Sequence, residues 1–246
     1  MLLGAVALLA PLLVVPSVPS TAAGAAEIRP AVVEQRVIGH TVRGRPIRAW
    51  RVGNPEARTT AVALSTMHGD EPATRRILAA IRDGDPVRGV DLWVLPVLNR
   101  DGFVANRRQN ARGVDLNRNF PRRWADLDGA VESGREPASE PETRSLMRFL
   151  RRVDPRFVVS FHQPLHGVDV YGRKQRWFAR TLADQLRLPR KDFTCGGACH
   201  GTLTQWFNHR FEGVAVTVEY GRSPERDRME LRAPRQLLRA LRDPRG

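Results

Sequence analysis

Short apolar runs alternating with amphipathic helical patterns predict a single α/β domain built on a mostly buried sheet. Three observations carry this expectation. The chain has 246 residues, enough for one domain with a substantial core. Four apolar, strand-like runs recur at Ala61–Ser65, Asp91–Leu98, Phe157–Phe161 and Val214–Val218. Three titratable residues, His68, His162 and Glu219, fall just past the ends of such runs. In α/β sheets that is the edge where ligands bind.

The elements follow in order. Residues 1–26 read as a signal peptide. Leu2 to Val15 is nearly all apolar, too short to span a bilayer comfortably, and Ala23-Gly24-Ala25 supplies small residues for cleavage. No Lys or Arg precedes the apolar run, and an uncleaved membrane anchor is the alternative. The expected location is secreted or extracytoplasmic. Residues 27–246 form the expected catalytic domain. Val32–Gly39 and Pro46–Val52 flank Arg43-Gly44-Arg45 as a hairpin. Pro72 suits the first turn of a helix that continues through Ile77, Leu78 and Ile81. The segment from Asn99 to Arg135 reads as a long irregular loop, and such loops are usually functional or disordered. Helices are expected over Pro141–Val153, Trp177–Leu186, Thr202–Phe207 and Arg235–Leu241.

Apolar residues make up 41% of the chain and charged residues 27%, ordinary for a soluble globular protein. The formal net charge is +14, and Lys174 and Lys191 are the only lysines. The arginines are spread along the chain rather than clustered, which argues against a specific nucleic-acid partner. Scattered solvated arginine, or attraction to an anionic cell-wall surface, remains. Cys195 and Cys199 enclose two glycines and read as a disulfide in an exported chain.

His68-Gly69-Asp70-Glu71 can aim an imidazole and a carboxylate at one point as the chain leaves a strand, and zinc accepts both. Alone, the pair is a weak signal that many chains match by chance, and a helix-start carboxylate beside an unrelated histidine is the commoner case. A lone histidine at a strand end, such as His162, is more often a hydrogen-bonded core or rim histidine than a ligand. His40, His166, His200 and His209 read as surface or rim groups.

The run Gly113-Val114-Asp115-Leu116-Asn117-Arg118-Asn119-Phe120 changes the balance. With His68-Gly69-Asp70-Glu71, Ser160-Phe161-His162 and Val218-Glu219 in the same order, it closely resembles the zinc carboxypeptidase family that includes carboxypeptidase A. Arg107-Arg108-Gln109-Asn110-Ala111 looks most like the bacterial murein-peptide amidase branch. The resemblance implies a single domain with a mixed, mostly parallel central sheet flanked by helices. It implies one zinc per chain on His68, Glu71 and His162, with Glu219 as general base. It implies that Asn117 and Arg118 hold the terminal carboxylate of a peptide. Arg108 would polarise the scissile carbonyl, with Arg107 as the neighbouring alternative. The position matching the family's lid tyrosine is Gly197, and the floor of the side-chain pocket matches Thr204, a small polar group suited to a substrate with a polar tip such as diaminopimelate. The implied function is an exported carboxypeptidase acting on short peptides, cell-wall peptides included. A zinc-dependent amino-acid deacylase and a non-catalytic cell-wall peptide-binding module are the alternatives.

Overall fold

The computed structural model describes residues 31–245; the expected signal peptide lies outside the described residues. β1 (Val32–His40) and β2 (Pro46–Gly53) form the expected antiparallel hairpin. Then come β3 (Thr60–Ser65), α1 (Arg75–Arg82), β4 (Asp91–Leu95), α2 (Arg100–Ala105), α3 (Pro141–Val153), β5 (Phe157–His162), β6 (Leu165–Asp169), α4 (Arg176–Leu186), β7 (Arg190–Lys191), α5 (Leu203–Arg210), β8 (Val214–Gly221) and α6 (Ala233–Arg242). The eight strands form one sheet in the order β1-β2-β4-β3-β5-β8-β6-β7. Its centre, β4-β3-β5-β8, is parallel. β2 joins one side of it and β6 the other, both antiparallel. The sheet is therefore mixed around a parallel core.

Central strands are buried on both faces, which is why they read as continuous apolar runs. Ala61, Ala63, Val159, Phe161, Val216 and Val218 face a core closed by α1, α4 and α6. Val62, Leu64, Val158 and Ala215 face a second core closed by α3 and α5. The helices start where their caps allow. Pro141 opens α3, and Thr202 and Gln205 form a capping box at the start of α5.

Several boundaries differ from expectation. α1 begins at Arg75 rather than at Pro72, so residues 68–74 run as a loop. A buried hydrogen bond between Thr74 Oγ1 and Ser65 Oγ, 2.6 Å, fastens that loop to the end of β3. β4 stops at Leu95, ahead of Pro96. His162 and Glu219 do not lie past strand ends. His162 is the last residue of β5, and β8 continues beyond Glu219 to Gly221, leaving the two residues paired in register. The 99–135 segment is ordered by α2, capped by Asn99, and by a 3₁₀ turn over Leu116–Arg118. Cys195 and Cys199 form the expected disulfide. Among the described residues no helix is long and apolar enough to cross a membrane.

Candidate active site

Backbone contact at two glycines sets the first half of the site. A Cβ on Gly69 would meet the Gly102 carbonyl carbon at 2.0 Å, so the 68–71 turn lies directly against α2. Gly69 N–H donates to the Arg108 carbonyl at 3.2 Å, and Glu71 N–H closes the turn on the His68 carbonyl at 3.2 Å. This turn brings His68 Nδ1 and Glu71 Oε1 to 2.7 Å. The second histidine arrives from the neighbouring strand. β3 and β5 are parallel, and His162 Nδ1 comes within 3.0 Å of Glu71 Oε2 and 3.3 Å of His68 Nδ1. All three residues are buried, and their ligand atoms lie within 4.8 Å of one another.

These residues fit a divalent metal. Both histidines turn Nδ1 to the common point, and both Nε2 atoms are held from behind. Asp115 Oδ1 lies 3.0 Å from His68 Nε2, and Ser160 Oγ lies 3.0 Å from His162 Nε2. Such outer partners fix the tautomer and ring orientation of a ligating imidazole. The local field also favours a cation. Burial opposes charge on His68, yet the Glu71 and Asp115 carboxylates outweigh it and push its pKa up to about 9. Burial likewise opposes charge on Glu71 and Asp115, but the imidazoles hold Glu71 well below the usual carboxylate range. His68 and the Arg108 guanidinium do the same for Asp115. Two anionic carboxylates and three converging donors, buried together, are what a catalytic zinc site presents.

Arg108 enters from the 99–135 segment. Its Nε and Nη2 donate to Asp115 Oδ2 at 3.0 and 2.8 Å, and its Nη1 lies 3.3 Å from His68 Nδ1. Arg107 is exposed, so Arg108 is the arginine at the cluster. Asp115 also accepts Asn117 N–H at 2.9 Å, starting the 3₁₀ turn that carries Asn117 and Arg118. Asn117 Oδ1 accepts the Leu203 N–H at 3.0 Å, joining this turn to the start of α5. Arg118 is buried at 6% exposure, and its Nε has no hydrogen-bond partner among the described residues. Burial lowers its pKa, though Asp115 opposes that shift.

Glu219 is 8% exposed, and its Oε2 accepts the Leu165 N–H at 3.1 Å. Burial raises its pKa; Glu71 adds to the rise and His162 opposes it. Thr204 is partly buried at the start of α5, its hydroxyl 3.3 Å from Thr202 Oγ1. Gly197 lies in the disulfide loop at φ 89°. His40, His166 and His209 are exposed and His200 is partly buried, and none of them is among the converging ligands.

Sequence reasoning assigned no role to Asp115 or Ser160. Both lie inside the motifs that carry the family resemblance. The available signal was polarity in apolar surroundings: Ser160 interrupts Phe157–Phe161, and Asp115 sits between Val114 and Leu116.

The sequence matches the zinc carboxypeptidase family model over residues 20–168, a span that ends before Glu219. It is 37% identical over 146 residues to murein peptide amidase A of Escherichia coli (strain K12), covering 53% of this chain and 60% of that protein's length. Murein peptide amidase A of Vibrio campbellii is 30% identical over 195 residues, covering 74% of this chain and 77% of that one. Among solved structures, murein-tripeptide amidase from Escherichia coli O157 superposes with a TM-score of 0.69 at 27% identity, over 85% of this chain and 92% of that one. Carboxypeptidase A from Helicoverpa armigera gives a TM-score of 0.69 at 19% identity, over 84% of this chain and 66% of that one, which is a likeness of fold.

Proposed function

Because the chain belongs to the zinc carboxypeptidase family, we propose that it hydrolyses the C-terminal peptide bond of short peptides, murein peptides foremost, with one zinc per chain. The observation that carries this reading is Arg118, buried with an unused Nε–H beside Asn117 and linked through Asp115 to the His68–Glu71–His162 cluster. Identity to two murein peptide amidases supports the cell-wall preference. The apolar leader and the Cys195–Cys199 disulfide support an extracytoplasmic location. The net charge of +14 supports attraction to an anionic wall surface.

Each residue then has a task. His68, Glu71 and His162 hold the metal, which when bound acidifies water and polarises a carbonyl. Arg118 grips the substrate's terminal carboxylate, and Asn117 donates its side-chain amide to the same group. This places the last peptide bond at the cluster and excludes internal bonds. Arg108, fixed on Asp115, directs its positive charge to the oxygen that becomes anionic. Glu219 accepts the proton of the attacking water and returns it to the leaving amine.

The test is a matched pair of peptides, free acid and C-terminal amide. The amide leaves Arg118 without its charged partner, so kcat/KM should fall at least about a hundredfold, roughly 2.7 kcal/mol. Arg118→Ala should weaken cleavage of the acid strongly and of the amide little. Equal cleavage of both peptides by the wild type overturns the carboxypeptidase reading.

A second expectation concerns Asp115. Asp115→Ala leaves the His68 Nε2–H and the Arg108 guanidinium without their acceptor. Zinc affinity should fall about 10–100-fold in a competition titration against a chelator. Unchanged affinity would leave Asp115 as a purely structural carboxylate.

A further inference from the structure

The sheet order places β5 between β3 and β8, and each of them pairs with β5 rather than with the other. His68 and Glu71 follow the end of β3, and Glu219 lies on β8. The two halves of the cluster therefore come from strands that share no ladder. Their separation has to be set across β5.

Gln163 follows His162, the last residue of β5, and is 6% exposed. Its side chain reaches both ways. Oε1 accepts the Ala73 N–H at 3.0 Å, and Nε2 donates to the Gly221 and Arg222 carbonyls at 3.1 and 2.8 Å. The partners fix which end is which, because an N–H needs an acceptor and carbonyls need a donor. Both anchors lie next to site residues. Ala73 is two residues beyond Glu71, and Pro72 between them has a fixed φ that stiffens the link. Gly221 is two residues beyond Glu219 on β8. The Leu165 N–H holds Glu219 Oε2 at 3.1 Å from the same segment. The chain just after His162 thus grips the carboxylate of Glu219 and the end of its strand, and Gln163 extends that grip to the Glu71 loop.

We propose, resting on the reading of Glu219 as general base, that Gln163 is a positioning residue for the hydrolysis. It sets the distance between Glu219 and the Glu71 side of the metal cluster. A base must lie within hydrogen-bond reach of the water it deprotonates, and small displacements cost rate steeply. None of the three Gln163 bonds goes to the Asn117–Arg118 turn, so recognition of the peptide's end is independent of it.

Gln163→Glu tests this by cutting one side of the bridge. The new carboxylate can still accept the Ala73 N–H but offers no donor to the Gly221 and Arg222 carbonyls. It is assayed as the zinc-loaded full chain, well below its melting temperature, with a free-acid peptide. We expect kcat to fall roughly tenfold or more while KM moves less than about threefold and zinc stays at one per chain. Gln163→Met, neutral and of similar length, loses all three bonds and should lower kcat at least as far; it serves if the new charge prevents folding. A glutamine that only stabilised the fold would lower the melting temperature and leave kcat of the folded enzyme intact. The decisive readout is a double-mutant cycle with Glu219→Gln. If Gln163 acts through Glu219, adding the Gln163 substitution to Glu219→Gln should cost less than about a further threefold in kcat. Full additivity overturns the proposal, and so does a folded Gln163 variant with wild-type kcat. Near-normal kcat in Glu219→Gln alone is a separate failure: it removes the base assignment, and the proposal with it.

Discussion

Glu219→Gln is expected to reduce kcat by about 10²–10⁴-fold, the range assigned to a general acid–base group, while zinc content stays at one per chain. The amide is nearly isosteric with the carboxylate and can still accept the Leu165 N–H that holds Glu219. The strand register that sets Glu219 opposite His162 does not depend on the side chain, so the geometry survives. What is lost is the ability to take a proton from water and deliver it to the amine. That interaction matters in the transition state more than in the ground state, so KM should move far less than kcat. Steady-state kinetics with a free-acid peptide, alongside elemental analysis, decide it. A variant with near-normal kcat removes Glu219 from the base role and shifts attention to another buried carboxylate.

His162→Ala should abolish stoichiometric zinc and reduce turnover to background. The substitution removes one of three converging donors and also strands Glu71 Oε2, which loses its 3.0 Å partner. Two remaining donors cannot hold the tetrahedral arrangement that leaves one open position. The calorimetric consequence separates metal loss from misfolding. A ligand that binds the folded state raises its stability by mass action, so a chelator should lower the melting temperature of the wild type and leave that of His162→Ala unchanged. Zinc retained by purified His162→Ala at one per chain would contradict the assignment.

The features that the sequence displayed were those with a strong period or a rigid motif. The central strands were legible because burial on both faces leaves an unbroken apolar run, as in Phe157–Phe161. α3 was legible to the residue because Pro141 opens it and its apolar face repeats cleanly. α2 was not, because six residues containing Gly102 carry too little periodicity, and the glycine that reads as a breaker is the contact point for Gly69. β6 was missed because its first two residues, Leu165 and His166, are exposed, which erases the alternation. At the site, His68, Glu71 and His162 could be chosen by type and order. Asp115 could not, because its importance lies in who its neighbours are: His68 and Arg108 reach it only in the folded chain. Arg108 was separable from Arg107 only by the direction in which each side chain points.

Asp115 supports the histidine behind the metal with one oxygen and the arginine at the cluster with the other, and it also anchors the turn that carries Asn117 and Arg118. In the proposed reading, retention of the metal and recognition of the peptide's end therefore share one residue. Where a seated peptide tightens the metal, thermodynamic reciprocity requires the metal to tighten the peptide by the same factor. A peptide seated on Arg118 should slow escape of the metal, and an emptied metal site should loosen the grip on peptides. For protein engineering, the expectation is that substitutions in this loop aimed at specificity for the chain terminus also change how readily zinc is lost.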